Sequence, residues 1–349
     1  MTAVSREPRQ TLNPVARERG SRRRRRMLTL TALSVLVALL VAASLMLGNT
    51  FYPPGDVARV LMGQEVPGAS FTVGRLRLPR VALAVVAGMC FGLGGVTFQT
   101  MLRNPLASPD IIGISSGASA AAVVGIVFWS LSGTLLSVLA IVVALGVALA
   151  IYLLSFRRGV HGTRLILIGI GIAAMLESVT SYALSKAPQW ELQEAMRWIT
   201  GSINGTRWSA VVPVAIALAV FGPMLLAQAR NLSQLQLGDE TAAALGIRVE
   251  RTRLLLVTAS VGLIAFATSA AGPIAFVAFL SGPIAARIVR HGSLLVPAAL
   301  IGAVLVLAGD LVGQLAFDTR YPVGVVTGAL GAPYLLYLII RVNRTGRSL

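Results

Sequence analysis

The side chains that most often carry out chemistry in proteins are scarce in this sequence of 349 residues. It contains one cysteine, Cys90, and two histidines, His161 and His291. A single cysteine excludes an internal disulfide and a cysteine-cluster metal site, and two distant histidines offer little for any metal centre. The motifs H-E-x-x-H, C-x-x-C, G-x-S-x-G and G-x-x-x-x-G-K-[ST] do not occur. We therefore expect no catalytic activity and no bound cofactor, and any ATP-driven function needs its ATPase on another chain.

Two acidic residues lie inside long apolar runs, Glu177 and Asp310. A carboxylate inside a membrane is costly, so each is a candidate for a proton relay in an ion-coupled transporter. The alternative is a structural group held by hydrogen bonds, and for Asp310 we favour this because Gln314 and Arg320 are near it in sequence. Two isolated acids make a relay the weaker hypothesis, and Glu177 stays open between the two.

The elements that must position these residues are membrane helices. Hydrophobic residues make up 56% of the chain, charged residues only 12%, and the mean hydropathy is +0.79. Continuous apolar runs of about 20 residues predict membrane-spanning helices and exclude a β-barrel. About ten runs are present, at 27–48, 81–102, 111–131, 134–156, 164–185, 208–229, 254–271, 274–290, 294–316 and 322–341.

The distribution of basic residues predicts the orientation of these helices. With the N-terminus inside, the inner segments carry 22 of the 30 Lys and Arg residues and the outer segments carry 8. Excess positive charge marks the cytoplasmic side, so both termini are predicted to be cytoplasmic. The net charge of +17 is therefore a signal of topology rather than of nucleic-acid binding. We expect residues 1–26 to form a disordered Arg-rich tail, 27–341 a permease domain and 342–349 a second tail, with Arg22–Arg26 resting on anionic lipid.

Two inner connections and two glycine pairs stand out. Residues 102–113 contain two prolines, which end helices and fix a turn. Residues 236–247 predict a short helix whose apolar face, formed by Leu237, Ala244 and Leu245, rests on the bundle or on a cytosolic partner. The pairs Gly88/Gly92 and Gly113/Gly117 have the four-residue spacing that lets membrane helices pack closely.

Seven short motifs also follow one another in a set order. They are Arg77-Leu-Pro-Arg80, Gly95-Val-Thr-Phe-Gln99, Arg103-Asn-Pro-Leu-Ala-Ser-Pro-Asp110, Gly113-Ile-Ser-Ser-Gly-Ala118, Leu237-Gly-Asp-Glu240 with Leu245-Gly246, Ala271-Gly-Pro-Ile-Ala-Phe276, and Pro322-Val-Gly-Val-Val-Thr327 with Gly331-Ala-Pro333. Over about residues 28–341 this series resembles the FecCD-type permeases, the membrane subunits of bacterial ABC importers for iron–siderophore complexes, haem and vitamin B12.

The resemblance implies an all-α fold of the type II ABC importer permease kind, in the bacterial cytoplasmic membrane. It implies as partners a second permease subunit (a copy or a paralogue), two cytosolic ATPase subunits and an extracytoplasmic binding protein. By position it assigns an ATPase-coupling helix to Leu237, Gly238, Asp239, Glu240, Ala244, Leu245 and Gly246, a cytoplasmic gate loop to His161, Gly162 and Thr163, the translocation path to Glu177 and Ser181, and binding-protein docking to Arg77 and Arg80. The motifs add structural positions at Asn104, Pro105, Pro109, Gly113, Gly117, Gly272, Pro273, Pro322 and Gly324. For the two arginines, structural support near a helix end is the equal alternative.

The sequence departs from the family pattern at Gly282-Pro283, where the proline is displaced, and at Gln314 and Arg320, where other residues are usual. These positions leave the details of docking open. The expected function is import of a ferric siderophore by alternating access, with the iron held by its chelator and ATP bound by the partner. Haem or cobalamin is the alternative cargo, and an ion-coupled secondary transporter using Glu177 and Asp310 is the alternative class.

Overall fold

The computed structural model describes residues 14–109, 113–155, 162–289 and 291–345, and the described residues contain helices and no strand. The helices are α1 (Pro14–Met46), α2 (Pro54–Leu61), α3 (Leu78–Met101, preceded by a π-helical segment Ser70–Arg77), α4 (Ile114–Trp129), α5 (Gly133–Ser155), α6 (Gly162–Lys186), α7 (Gln189–Ile199), α8 (Trp208–Ala227), α9 (Ala229–Leu235), α10 (Asp239–Ala244), α11 (Val249–Ala271), α12 (Val277–Ile288), α13 (Leu295–Leu315) and α14 (Val323–Thr345).

The ten predicted runs correspond one by one to ten of these helices. Within the described residues, seven helices are long and apolar enough to cross a membrane, and α4, α12 and the apolar part of α14 are shorter apolar helices. The polytopic all-α prediction is therefore confirmed. Helices α2, α7, α9 and α10 lie in the connections between the apolar helices. The predicted orientation places α9 and α10 on the cytoplasmic side.

The N-terminal prediction needs a correction. Helix α1 begins at Pro14, so residues 14–26, which we expected to be disordered, are helical, whereas residues 1–13 lie outside the described residues. Arginine and glutamate are good helix formers, and a helix nucleated in the membrane extends cheaply into such a segment. Glu18 and Arg22 also form an i,i+4 ion pair on its surface. At the other end, α14 continues to Thr345, four residues past the predicted boundary.

Helices α3, α11 and α13 form the centre of the bundle. Helix α3 packs on α13 with their backbone atoms in direct van der Waals contact. A Cβ atom built on Gly88 would lie 2.6 Å from the carbonyl oxygen of Gly302, and one on Gly92 would overlap the carbonyl oxygen of Ala298. Real Cβ atoms do not come so close, so both positions require glycine. The Gly88/Gly92 pair thus allows close contact between two helix backbones, as its spacing predicts. We call this contact the α3–α13 seam.

Two of the shorter helices, α4 and α12, begin within the depth of the bundle. Gly113, at the start of α4, lies beside the carbonyl group of Gly169, seven residues into α6. Gly95 meets the carbonyl group of Ala278, near the start of α12, and lies fifteen residues beyond Arg80, or about 22 Å along α3. Helix α12 is only 12 residues long, so the non-helical stretch Gly272–Phe276 descends into the membrane layer to reach it. Irregular backbone at this depth is stable only where protein or a water-filled cavity surrounds it.

Candidate functional site

A cavity of about 770 Å³ lies where these interrupted elements meet. Its wall combines small hydroxyl side chains with apolar ones, namely Ser115, Ser116 and Ser119 of α4, Glu177, Thr180, Ser181 and Leu184 of α6, Leu106 and Ser108 before α4, and Pro273 to Phe276 with Phe279 around the start of α12. The structure therefore brings the two predicted path residues, Glu177 and Ser181, to one cavity. Ser115 and Ser116 belong to one of the sequence motifs, but neither they nor Ser119 were predicted to line the path, although their spacing already places them on one helix face.

Strained backbone shapes the inner wall of this cavity. Phe276 has a positive φ of 64°, which is unusual for a bulky residue, and it caps the start of α12. Its ring meets Phe279 edge to face, with the centroids 6.2 Å apart. A Cβ atom on Gly331 would overlap the Phe276 ring, so the Gly331 of the last motif leaves room for this conformation.

Gln99 joins both interrupted segments beside the cavity. Its Nε2 donates to the carbonyl oxygens of Phe279, at 2.8 Å, and Pro105, at 3.0 Å. The Phe279 carbonyl would normally accept the N–H four residues later, but that residue is Pro283, which has none. Gln99 therefore satisfies a carbonyl that the proline leaves open, and Gly282 leaves space for its Oε1. The departure at Gly282-Pro283 is thus one structural unit with Gln99.

On the outer side, three loops meet through backbone atoms. The Gly324 N–H donates to the Gly201 carbonyl at 3.0 Å, and the Ser202 N–H donates to the Ala271 carbonyl at 2.7 Å. Gly201 and Gly272 both have positive φ, and a Cβ atom on either would overlap backbone of the other loop. The motif residues Gly272, Pro273, Pro322 and Gly324 are therefore close together around Gly201. No motif contains Gly201, so the sequence does not predict its role.

The outer arginines are engaged within the chain. Arg80 donates to the Asp310 carboxylate through Nε (3.0 Å to Oδ2) and Nη2 (2.6 Å to Oδ1), and Gln314 Nε2 donates to Oδ2 at 2.7 Å. The Arg80 and Asp310 side chains are 11% and 4% exposed. Of the two partners expected for Asp310, Gln314 contacts it, whereas the side-chain hydrogen bond of Arg320 goes to Asn49 Oδ1 at 2.7 Å. Asp310 is thus a structural group, and its main partner comes from a distant helix that sequence proximity could not reveal.

Arg77 ties the end of α1 to the bundle. Its guanidinium donates to the carbonyl oxygens of Leu45, at 2.8 Å, and Thr50, at 2.6 Å, and lies 5.2 Å from the centre of the Tyr52 ring. For Arg77 and Arg80 alike, these contacts favour the structural-support alternative over direct docking.

The predicted cytoplasmic helix is present as α10. Gly238 and Gly246 bound it with positive φ, and Asp239 in its first turn accepts from Arg253 Nη2 at 2.9 Å. Arg253 is buried and comes from α11, so this pair fixes α10 to the bundle. Leu237 and Leu245 are 62% and 57% exposed, and Glu240 and Ala244 are also exposed. The short helix therefore presents apolar side chains on the surface of the chain, on the side predicted to be cytoplasmic.

Comparison with known proteins agrees with this arrangement of motifs. The FecCD transport family matches residues 36–341. The chain belongs to the FecCD transport family. It is 38% identical over 312 residues to the achromobactin transport system permease protein CbrC of Dickeya dadantii (88% of this chain and 89% of CbrC). It is 39% identical over 327 residues to the ferric enterobactin transport system permease protein FepG of Escherichia coli (91% of this chain and 98% of FepG).

A solved structure shares the fold of this FecCD chain. It is described as an inward-facing conformation of a metal-chelate type ABC transporter, and it superposes with a TM-score of 0.81 at 26% identity. The match covers 89% of this chain and 98% of the solved chain. The chain is accordingly a multi-pass membrane protein of the ABC permease type.

The remaining assignments from the family resemblance lie near the inner side. His161, in the expected gate loop, is outside the described residues, and α6 begins at Gly162 and Thr163. Asn104 Oδ1 accepts the Leu106 N–H at 2.9 Å and its own N–H donates to Gln99, so it shapes the turn before Pro109. Gly113 has a positive φ of 92° at the start of α4, and Gly117 packs against Val147 of α5.

Proposed function

We propose that this chain is the permease subunit of an ATP-driven importer that moves a ferric siderophore across the bacterial cytoplasmic membrane by alternating access. Its partners in this proposal are a second permease subunit, two cytosolic ATPases and an extracytoplasmic binding protein. ATP hydrolysis belongs to the ATPases, and the permease itself carries out no catalysis. The observation that carries the proposal is the cavity whose wall includes Glu177.

Glu177 lies on a face of α6 that is exposed in the single chain. Ala174 and Ser181, one turn before and one turn after it, are also exposed in the single chain, which is expected of a surface facing lipid or another protein. A carboxylate cannot face lipid at low cost, and Glu177 makes no ion pair among the described residues. These facts support a second permease subunit across this face, with an aqueous path between the two.

The lining of the cavity suits a bulky cargo that is held weakly. It offers serine and threonine hydroxyls, aromatic and aliphatic side chains, and the single carboxylate of Glu177. Such a surface can solvate an iron complex whose metal is already bound by its chelator. Weak holding also favours release, which a conduit requires.

Helix α10 supports an attached ATPase. Exposed leucines on a cytoplasmic helix are buried favourably when a partner protein binds over them. Leu237 and Leu245 are two such residues, one at either end of α10. The buried Arg253 holds Asp239, so movement of α10 is passed to α11 rather than lost in a flexible loop. Rigid coupling of this kind is what alternating access needs from an ATP-driven partner.

An ion-coupled transporter is less well supported. It would use Glu177 and Asp310, but the Asp310 carboxylate is already paired with Arg80 and Gln314. Glu177 alone does not make a relay of protonatable groups.

The test is uptake into proteoliposomes that contain the permease with its ATPase and binding protein. We expect uptake of radiolabelled ferric siderophore to require ATP on the ATPase side and to persist when a protonophore collapses the proton gradient. ATP-independent uptake that collapses with the gradient would instead establish the ion-coupled class. Competition with haem and cobalamin for the binding protein identifies the cargo.

The coupling helix has its own test. Leu245→Arg should abolish co-purification of the ATPase and reduce uptake at least tenfold, because it places a charge in an apolar contact. Leu245→Met keeps the apolar surface and is the matched control. Unchanged ATPase association in Leu245→Arg would show that α10 does not dock.

A further inference from the structure

The cytoplasmic end of α1 changes from charged to apolar within one residue. Arg22 to Arg26 are followed directly by Met27 and Leu28, which are 58% and 60% exposed. Large exposed apolar side chains on a membrane helix face the acyl chains, so the inner membrane boundary lies close to Arg26. The arginines are thus at the level of the phospholipid headgroups.

Beside this boundary is a second cavity, of about 670 Å³, between α1 and the connection from α12 to α13. Its lining combines basic and polar groups of α1 with apolar groups at its membrane edge. It comprises Glu18, Ser21, Arg22, Arg25, Arg26, Leu28 and Thr29 from α1, Ile288 at the end of α12, and Val289 and His291 from the connection. Arg26 Nη2 donates to the Ser293 carbonyl at 3.0 Å and holds the connection against α1.

The basic side chains of this cavity share one helix face. Arg22, Arg25 and Arg26 follow the i, i+3, i+4 pattern, and Thr29 continues it at i+7. Arg23 and Arg24 are on the other side of the helix and do not line the cavity. Glu18 neutralises only Arg22, and Arg25 makes no ion pair among the described residues. Three guanidinium groups against one carboxylate leave the cavity positively charged.

We propose that this cavity binds the phosphate headgroup of an anionic phospholipid of the inner leaflet. Arg22 and Arg25 contact the phosphate, and Leu28 and Ile288 pack against the first carbons of an acyl chain. Basic pockets at the cytoplasmic side of membrane helices recognise anionic headgroups in this way. The apolar edge of the cavity favours a lipid over free phosphate, which has no apolar part. The bound lipid joins α1 to the connection between α12 and α13 and so steadies the inner end of the bundle.

The experiment uses the full chain in detergent, with phosphatidylglycerol titrated against thermal unfolding and with retained lipid counted by native mass spectrometry. The variant Arg22→Gln/Arg25→Gln removes two charges that line the cavity. Its matched control, Arg23→Gln/Arg24→Gln, removes two charges from the same run on the other face. We expect the first variant to weaken phosphatidylglycerol binding at least fivefold and the control to change it less than twofold.

Equal losses in the two variants would show diffuse attraction to the membrane surface and would overturn the proposal. Stabilisation by inorganic phosphate at the same concentration as by phosphatidylglycerol would assign the cavity to a free anion and overturn the lipid. Loss of the ATPase by the first variant, with lipid binding unchanged, would assign the cavity to the partner instead. Should the double variant fail to fold, the single variant Arg25→Gln provides the same comparison with Arg24→Gln.

Discussion

The α3–α13 seam and the α4–α6 side of the cavity use similar residues for opposite purposes. In the seam, Gly88 and Gly92 bring two backbones into contact, and Arg80 and Asp310 neutralise each other between the helices. Along the cavity, small residues of α4 leave space instead, and Glu177 has no ion-pair partner among the described residues. A glycine pair or a membrane carboxylate therefore has no set meaning until its neighbours are known.

The difference also separates stability from transport. Close packing and a buried ion pair make the seam sensitive to any change of volume or charge. Side chains of the cavity wall point into open volume rather than into packed neighbours. Substitutions there therefore change the shape of the path and leave the packing of the bundle intact. Four variants test this division, and they are given in order of decreasing expected loss of stability.

Gly92→Val should be the most damaging, because the added atoms overlap the Ala298 carbonyl in the seam. Overpacking of a core that can adjust costs about 1–3 kcal/mol, but here neither backbone can move aside, so we expect a larger cost than the roughly 3–5 kcal/mol typical of a broken buried ion pair. We expect loss of monodisperse protein in size-exclusion chromatography, or a melting temperature lowered by many degrees. Gly146→Val on α5 is the control, since nothing lies within 4 Å of its Cβ position. Equal damage in the control would show that the helix as such, and not the seam, resists valine.

Removing one member of the buried ion pair should be nearly as costly. Arg80→Gln leaves the Asp310 charge without its main partner, and breaking buried pairs in this way typically costs about 3–5 kcal/mol. The double variant Arg80→Gln/Asp310→Asn should be more stable than Arg80→Gln alone, because no charge remains buried. The measurement is the thermal unfolding of each variant in detergent. Additive losses in the double variant would contradict the pairing. Retained stability with weakened binding-protein docking would restore the docking role first assigned to Arg80.

Gln99→Met should have an intermediate effect. It leaves the Phe279 and Pro105 carbonyls without their donor, and an unsatisfied buried polar group costs about 1–3 kcal/mol. Adding Pro283→Ala supplies an N–H to Phe279, so the double variant should regain part of the lost melting temperature. If the double variant regains none of the lost melting temperature, the stabilising contact of Gln99 is its hydrogen bond to Pro105 rather than the one to the Phe279 carbonyl of α12.

Ser119→Leu should change stability least and transport most clearly. The side chain is half-buried and faces the cavity, so a leucine narrows the path without straining the packing. We expect uptake to fall several-fold with a melting temperature close to that of the wild type. Ala150→Leu, at an exposed position of α5, is the control and should do neither. A fall in melting temperature comparable to that of Gly92→Val would place Ser119 in the packed core and remove the distinction between the two regions.

The sequence predicts the helices well because each apolar run is long, and it predicts the seam because glycine spacing on a helix is a local property. It also predicts α10, whose acids and glycine are close in the chain. It identified Gln314, four residues from Asp310, as a partner of that carboxylate, but it could not identify Arg80, which is 230 residues away. Nor could it explain Pro283, because the carbonyl that the proline leaves open is satisfied by Gln99 from another helix.

The outer glycine junction shows the same limit. Gly272 and Gly324 lie in recognisable motifs, but the residue that joins them, Gly201, is in a stretch without one. Its need for glycine comes from a contact between three loops, and a single sequence gives no measure of how near those loops are. The prediction of disorder for residues 14–26 was wrong for a different reason. Composition alone does not show that a membrane helix continues into its polar flank.

The pairing of Arg80 with Asp310 also bears on how the protein responds to voltage. A single charge that moves across the membrane field exchanges about 2.3 kcal/mol per 100 mV. Opposite charges joined at 2.6 Å move together and carry no net charge, so displacement of α3 and α13 as a unit leaves these two residues neutral toward the field. For these two residues, movement of the seam therefore requires the same electrical work whether or not a membrane potential is present.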